Sequence, residues 1–400
     1  MKDSMYKLIP FIKKFTPLCI ACLSAVSICG CNNNSPATKR GALAISQNDA
    51  DLFKKYRLDK VKLPAGFKIG VYVEVDKVRS MCVSPGGTLF AGTRGGDEVV
   101  AITDENHDGR ADKMYVVASG LNSPNGVAFK DGNLFIGAIS TIYRLDSIES
   151  RLNNPPMPVP VYNKYPADEH HGQKFIAFGP DGKLYVPIGA PCNICEPAIP
   201  YASLTRINAD GTGFEIFAKG IRNTVGFAWH PETKELWFTD NGRDNLGDDI
   251  PADELNNAPR AGMNFGYPYC HQGDIPDPEF GQGKNCSEYT APVKRLGAHV
   301  ASLGMRFYTG SMFPVEYKNA IFIAEHGSWN RSIPVGYRVV VAKTDAGGKL
   351  SDPVPFAEGW LQNQKDVNGR PVDVQVLDDG SLLVSDDYKG VVYRITYKAP

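Results

Sequence analysis

Apolar and polar residues alternate along short stretches of this chain, each stretch broken by a turn rich in Asp and Gly, and the unit recurs. It runs "MCVSPGGTLFAGTRGGDEVVAIT", "VAFKDGNLFIGAISTIYRL", then "IAFGPDGKLYVPIGA" continued by "LTRINADG". "GFAWHPETKELWFTDNG" follows, then "MRFYTGSMFPVEYKNAIFIAEHG" continued by "YRVVVAKT", and finally "VQVLDDGSLLVSDDYKGVVYRIT". Successive side chains of a strand face opposite ways, so a two-residue period predicts half-buried strands, and Asp-Gly supplies the tight hairpin turns between them. Six passes at spacings of roughly 45–85 residues predict an all-β fold, a six-bladed β-propeller over residues 60–400. A sandwich is the rival for the same strands, but it does not call for so regular a repeat. The widest spacing holds an insertion over residues 243–300, and loops on one face of rigid blades are where function collects.

The first residues read differently. Lys2, Lys7, Lys13 and Lys14 precede the apolar run "PLCIACLSAVSICGC", which is too short to span a membrane comfortably and predicts an export signal over residues 1–31. Ile28-Cys29-Gly30-Cys31 resembles a lipobox with Cys31 lipidated; an ordinary secretory signal is the alternative. Either predicts export, with the chain lipid-anchored to the bacterial membrane (the outer membrane, periplasmic side) or periplasmic, and residues 32–59 as a polar tether. The net charge of −1 speaks against a nucleic-acid surface, and the membrane is expected only through the anchor. Export turns Cys192–Cys195 and Cys270–Cys286 into expected disulfides and leaves Cys82, in "RSMCVS", as a buried thiol. A zinc site at Cys192 and Cys195 is the alternative, with no second cysteine or histidine pair to complete it.

The loops at the ends of the inner strands carry more chemistry than turns require. "TRGGD", "DEHHGQ", "GIRNTVG", "DNGRDNLGDD", "EHGSWNR" and "GRPVD" contribute Arg94, His171, Arg222, His326, Trp329, Arg331 and Arg370. Arginines gathered at one channel mouth repel unless an anion lies between them, so the set predicts an anion site. Separately, "DENHDGRAD" spaces Asp104, Asn106, Asp108, Arg110 and Asp112, with Gly109 at the turn, like an EF-hand loop without its final glutamate. That predicts structural calcium or, alternatively, a polar hairpin.

"HHGQKFIAFGPDGKLYVPIG", "GIRNTVGFAWHP", "TDNGRDNLGDDIPADELN" and "NFGYPYC" resemble the soluble quinoprotein sugar dehydrogenases that use pyrroloquinoline quinone (PQQ). "AEHGSWNR" and "RPVDV" resemble the sorbosone and pyranose branch of that family more than its glucose branch. The resemblance implies oxidation of an aldose or ketoaldose, with hydride passing to the quinone and electrons to an external acceptor, a quinone or cytochrome. It implies His171 as general base, with His170 the runner-up. It places Arg94, Asn125, Arg222, Asn223, Asn241, His326, Trp329, Arg331 and Arg370 around the cofactor. It assigns the backbone carbonyls of Gly242 and Arg243 to a calcium ion beside the quinone, Arg243 standing where the glucose enzymes have proline.

Two other classes use similar features. Asn125 in "SPNGVAF" and Asp240 and Asn241 in "FTDNG" also resemble calcium-dependent lactonase propellers, in which side chains hold a Lewis-acid metal. A propeller that only displays loops to a glycan or protein is the third reading. No glycine-rich nucleotide fingerprint and no haem-attachment motif is present in the sequence.

Overall fold

The computed structural model describes residues 42–45, 48–345 and 348–399. Six sheets of four or five strands make the blades. Blade 1 runs through Val78–Val83, Leu89–Thr93, Val99–Thr103 and Lys113–Ala118, with Leu43–Ala44 at its edge. Blade 2 is Gly126–Lys130, Asn133–Gly137, Ile142–Leu145 and Val159–Tyr162. Blade 3 is Ala177–Phe178, Leu184–Ile188, Ser203–Ile207 and Glu215–Lys219, with Met263–Asn264 added in parallel. Phe227–Trp229, Leu236–Asp240, Ala252–Ala258 and Lys294–Ala298 form blade 4, and Ser302–Phe307, Ile321–Glu325, Arg338–Ala342 and Val354–Glu358 form blade 5. Blade 6 takes Pro371–Val376, Leu382–Asp386 and Val391–Tyr397 from the end of the chain, and Phe67–Glu74 from near its start pairs antiparallel with Val391–Tyr397 to complete the sheet.

The alternation that predicts the strands fades in the middle of the blades. Every residue of Leu89–Thr93, Leu184–Ile188, Ile321–Glu325 and Leu382–Asp386 is buried, because each second strand is covered by the neighbouring blades on both faces. Their sequences are accordingly near-continuous apolar runs, each fully buried large side chain contributing about 1.5–3 kcal/mol. Between blades 5 and 6 the core is aromatic: Phe67 meets Phe313 and Phe356 edge-on at 4.7 and 5.0 Å, the quadrupole-favoured arrangement.

The polar tether expected over residues 32–59 is folded over its last part. Asp49–Lys55 is a helix whose N-cap, Asn48, accepts the Ala50 N–H. Leu52, Tyr56 and Leu58 then lie on the blade 5–6 core, and Tyr56 bonds Glu74. Apolar residues at these spacings bury one face of a helical turn, which the polar composition of the segment conceals. The export signal and Cys31 lie outside the described residues.

The channel is plugged at mid-height. Arg306, from the inner strand of blade 5, donates to Gln375 (3.2 Å) and to the Met81 carbonyl (3.4 Å), and lies 3.7 Å from Asp373 and 5.1 Å from the centre of the Phe175 ring. It thereby reaches blades 6, 1 and 3. The loops before each inner strand and after each second strand lie at one end of this plug, and the hairpins lie at the other.

Candidate functional site

His171 sits on the loop that enters blade 3, where the sequence predicts it. The loop turns sharply: Gly172 N–H bonds the Glu169 carbonyl at 3.0 Å, a Cβ on Gly172 would run into the Asp168 carbonyl, and His171 itself is left-handed at φ 52°. Lys174, buried, ties the turn from below by donating to the Gly172 carbonyl at 2.6 Å, and burial lowers its pKa to about 8.

The imidazole Nδ1 is 2.8 Å from the Ala190 carbonyl. A carbonyl only accepts, so Nδ1 carries the proton and Nε2 keeps its lone pair. Burial, then the charge of Arg222, the neighbouring His170 and Arg94, push the His171 pKa down to about 3 against the pull of that bond. The ring is therefore an uncharged base near neutrality. Gly189 makes room for it: an added Cβ would lie 2.5 Å from the His171 Cβ.

Arg222 lies next to this base but is occupied. Its guanidinium donates to the Asn193 carbonyl (2.8 Å), the Asn193 side chain (2.9 Å), the Asn241 carbonyl (3.3 Å) and Asp244 (3.1 Å). Asp244 also accepts from Asn330 at 2.7 Å, joining the blade 5 loop to the cluster. The backbone N–H groups of Arg222 and Asn223 both bond the Asp240 carboxylate, whose pKa burial raises to about 7 despite those bonds. Asn223 donates to the Asn241 side chain, and Asn241 to the Ser302 carbonyl. Cys192–Cys195 brackets Asn193, with Cα atoms 6.2 Å apart.

Past Asn241 the chain enters the insertion. Gly242 N–H is held by Asp253 at 3.0 Å, and the Arg243 side chain turns away to Asp277 (2.6 Å) and Glu279 (3.0 Å). The Gly242 and Arg243 carbonyls accept no hydrogen bond among the described residues. Cys270–Cys286 closes the insertion. Both expected disulfides are formed and Cys82 is free, so Cys192 and Cys195 are not zinc ligands.

A second network crosses the other half of the mouth. Asp387 accepts from Arg79 and from His326 Nε2, each at 2.8 Å. Burial raises that carboxyl, yet the two bonds outweigh it and hold the pKa well below the usual range. Burial likewise lowers His326 to about 4, so it too is uncharged. Arg370 donates to the His326 and Gly327 carbonyls at 3.0 and 2.7 Å. Asn125 is completely buried, accepting from Arg79 and donating to Ser80 and the Lys174 carbonyl. It belongs to the wall between blades. Arg331 bonds Asp248 and Asp249 on the blade 4 insertion, while Trp329, 72% exposed, stands free at the loop tip. Arg94 is exposed, and its guanidinium has no hydrogen-bond partner among the described residues.

The 104–112 loop lies at the opposite end of the channel. Asp104 accepts the N–H groups of Asp108 and Gly109, Asp108 that of Arg110, and Asp112 that of Glu105; Asn106 accepts a second bond from the Asp108 N–H. These carboxylates are turned onto their own backbone, and Arg110 pairs with Asp49. Among the described residues no cluster of three or more His, Cys, Asp or Glu side chains is arranged to hold a metal. Sequence reasoning missed Arg79, Asn193, Asp244 and Asp387; Asp244 stands inside the "DNGRDNLGDD" stretch but is not singled out there, and nothing local marks the other three.

A six-bladed propeller with an uncharged imidazole and a ring of arginines at one mouth defines the class. The chain belongs to the TrAA12-like family, whose model matches residues 197–398. An uncharacterized protein of Borreliella burgdorferi is 33% identical over 352 residues, 84% of this chain and 91% of that protein. The pyrroloquinoline quinone-dependent pyranose dehydrogenase of Coprinopsis cinerea is 27% identical over 274 residues, which cover 54% of this chain and 36% of that enzyme. The holo form of its PQQ domain superposes with a TM-score of 0.70 at 20% identity, covering 84% of this chain and 97% of the domain. That likeness is one of fold.

Proposed function

We propose that the protein oxidises a sugar, an aldose or ketoaldose, with PQQ and calcium at the channel mouth, and passes the electrons to an external acceptor. Kinship with PQQ-dependent sugar dehydrogenases supports sugar oxidation in general. The observation that carries the finer reading is the His171 imidazole, fixed by Ala190 with Nε2 unprotonated, in reach of the charge of Arg94.

Bound at the mouth, PQQ supplies a two-electron acceptor for hydride. The residues fit a planar polyanion: Arg94 offers an unpaired guanidinium, and Arg222 and Arg370 add positive charge held rigidly by the wall. The paired free carbonyls of Gly242 and Arg243 are oxygen ligands of the kind calcium prefers. His171 Nε2 takes the proton of the reacting sugar hydroxyl. The burial and positive charge that keep the ring neutral also disfavour the imidazolium, so the proton is readily released to solvent. Lys174 and Gly189 fix where that nitrogen stands.

A lactonase-type centre is poorly supported. It needs Asn125 and Asp240 to offer side-chain oxygens, and these are spent on Arg79 and on the backbone N–H groups of Arg222 and Asn223. Adding PQQ and calcium to the purified protein should give the absorbance of bound quinone and reduction of a redox dye by at least one aldose or ketoaldose. Quinone binding without any sugar-dependent dye reduction would refute the proposal. Export with lipidation at Cys31 belongs to the same reading, and a mature N-terminus found elsewhere by mass spectrometry would remove it.

A further inference from the structure

One short stretch, residues 190–195, holds both the base and the neighbouring guanidinium, and a disulfide closes it. The Ala190 carbonyl fixes His171 Nδ1, and the Ala190 N–H bonds the Arg222 carbonyl at 2.8 Å. The Asn193 carbonyl and side-chain oxygen both accept from the Arg222 guanidinium. That side-chain oxygen also accepts the Asp244 N–H at 2.8 Å, and the Asn193 amide donates to the Asp244 carbonyl at 3.1 Å. Cys192 and Cys195 flank this hub and are bonded to each other. We propose that Cys192–Cys195 is a thiol–disulfide exchange site that controls the channel mouth: a dithiol reduces it, and reduction loosens the hold on His171 and Arg222. This rests on the sugar-oxidising reading and adds the regulation of that site.

The bond is placed to govern the turn more than to staple the fold. Its sequence separation is 3, against 16 for Cys270–Cys286, and closing so short a loop takes less freedom from the unfolded chain. What it restrains is the native turn. Two unbonded sulfurs need more room than two bonded ones, so the turn must widen once the bond is gone. Asn193 sits inside that turn and cannot keep all its partners if it moves. Access also differs between the two disulfides. Cys192 and Cys195 are both part-buried, whereas Cys270 is only 4% exposed, so a dithiol reaches the first pair more readily.

A group stands ready for the exchange. The Tyr267 hydroxyl lies 3.4 Å from Cys192 Sγ, and a disulfide sulfur has no proton to give, so the hydroxyl is the donor. Its oxygen accepts the Cys195 N–H at 3.2 Å, which fixes its position. A thiolate of the reductant attacks Cys195 Sγ, the S–S bond breaks, and its electron pair leaves on Cys192 Sγ. The hydroxyl and the nearby charge of Arg222 favour that thiolate as leaving group. The reductant's second thiolate then displaces Cys195 from the mixed disulfide. Cys192 and Cys195 end as thiols with two electrons and two protons gained, and the reductant departs as a disulfide.

The test treats the full chain with dithiothreitol and follows each cysteine by alkylation and peptide mass. Cys192 and Cys195 should open at a concentration that leaves Cys270–Cys286 closed. In the protein without quinone, amide hydrogen exchange over residues 189–195 and 241–245 should then quicken about tenfold, and affinity for PQQ with calcium, read by absorbance, should fall about tenfold. Both should return on reoxidation. The Cys192→Ser/Cys195→Ser protein should match the reduced wild type and ignore the dithiol. If Cys270–Cys286 opens first, or the double variant still responds, the switch is wrong. If the pair opens while exchange and affinity keep their oxidised values, and a sugar is still oxidised, the switch is wrong and the dehydrogenase reading stands. If exchange responds reversibly but the oxidised protein binds no quinone and oxidises no sugar, the switch stands and the dehydrogenase reading falls.

Discussion

Gly189→Ala tests the link between local packing and chemistry. The new Cβ would sit 2.5 Å from the His171 Cβ, 2.8 Å from the His171 carbonyl oxygen and 3.3 Å from the Asn223 side-chain oxygen. Carbon atoms make contact at about 3.5–4.0 Å, so the first overlap is at least ~1 Å. Neither His171 atom is the far end of a flexible side chain, and the loop is already held left-handed, so relief comes by moving the loop as a body. Gly189 does not itself have a positive φ, so alanine adds no backbone strain beyond these contacts. A withdrawal of ~1 Å would stretch the 2.8 Å bond from Nδ1 to Ala190 beyond hydrogen-bonding range and free the ring to change tautomer. Overpacking of this kind costs about 1–3 kcal/mol of stability, whereas a reacting group misplaced by ~1 Å loses on the order of 10²-fold in rate. The variant should thus melt only a few degrees lower yet lose about two orders of magnitude in kcat/KM in dye reduction. A folded Gly189→Ala enzyme with wild-type kcat/KM would falsify the account of His171 as a base positioned by Ala190.

His171→Ala should bind quinone nearly as the wild type does, by absorbance, but lose about 10²–10⁴-fold in turnover; retained turnover would shift the role to His170. Arg94→Ala removes no internal bond and should leave stability within about ±0.5 kcal/mol while weakening quinone binding; Arg222→Ala, which strips Asn193 and Asp244 of their partner, should lower both, and thermal melts with and without quinone separate the two. Burial raises the folded-state pKa of Asp240 to about 7, Asp253 to about 6, Glu254 to about 8, Glu325 to about 7 and Asp386 to about 6, and lowers His171 to about 3 and His326 to about 4. The raised carboxyls hold protons the unfolded chain has lost, so they favour folding less as pH rises from about 4 towards 8; His171, His326 and His271, which burial also lowers, act oppositely below about 6.5, and the carboxyls outnumber them. The melting temperature should therefore be higher near pH 5 than near pH 8, and the reverse order would refute the burial argument. Replacing Cys270 and Cys286 by serine opens a loop with a sequence separation of 16 and should cost about 3 kcal/mol by denaturant unfolding, and of Cys82, Cys192, Cys195, Cys270 and Cys286 only Cys82, free and part-buried, should react with a thiol reagent without reductant.

The blades were legible because their signals are local. Alternation and turns such as Asp131–Gly132, where both residues have positive φ, lie within a few positions of one another. His171 was legible for the same reason, since its loop immediately precedes its strand. What escaped notice is defined by contacts distant in sequence. Asp387 matters because Arg79 reaches it across 308 positions, and Asn193 because Arg222 and Asp244 close on it from blade 4. Neither acid nor amide looks different from a surface residue in the sequence. Arg222 and Asn125 illustrate the converse: both drew attention as polar residues at strand ends, but only the structure shows how much of their bonding capacity the wall consumes. Phe67–Glu74 alternates like any strand, with Phe67, Ile69, Val71 and Val73 on one side, but its place as the outermost strand of blade 6 depends on pairing with Val391–Tyr397 at the far end of the chain, which leaves no local signal.

That strand has a consequence for how the molecule is made. Val391–Tyr397 lies between Phe67–Glu74 and Leu382–Asp386 in the sheet, so one of the earliest strands to leave the ribosome must wait for one of the last. Until residues 391–397 emerge, the ring cannot close, and the edges of blades 1 and 6 stay open to other strands. Blades 2 to 5 can pair locally as they appear, but the final circular order, and with it the channel mouth where His171 stands, is settled only once residues 391–397 have joined Phe67–Glu74.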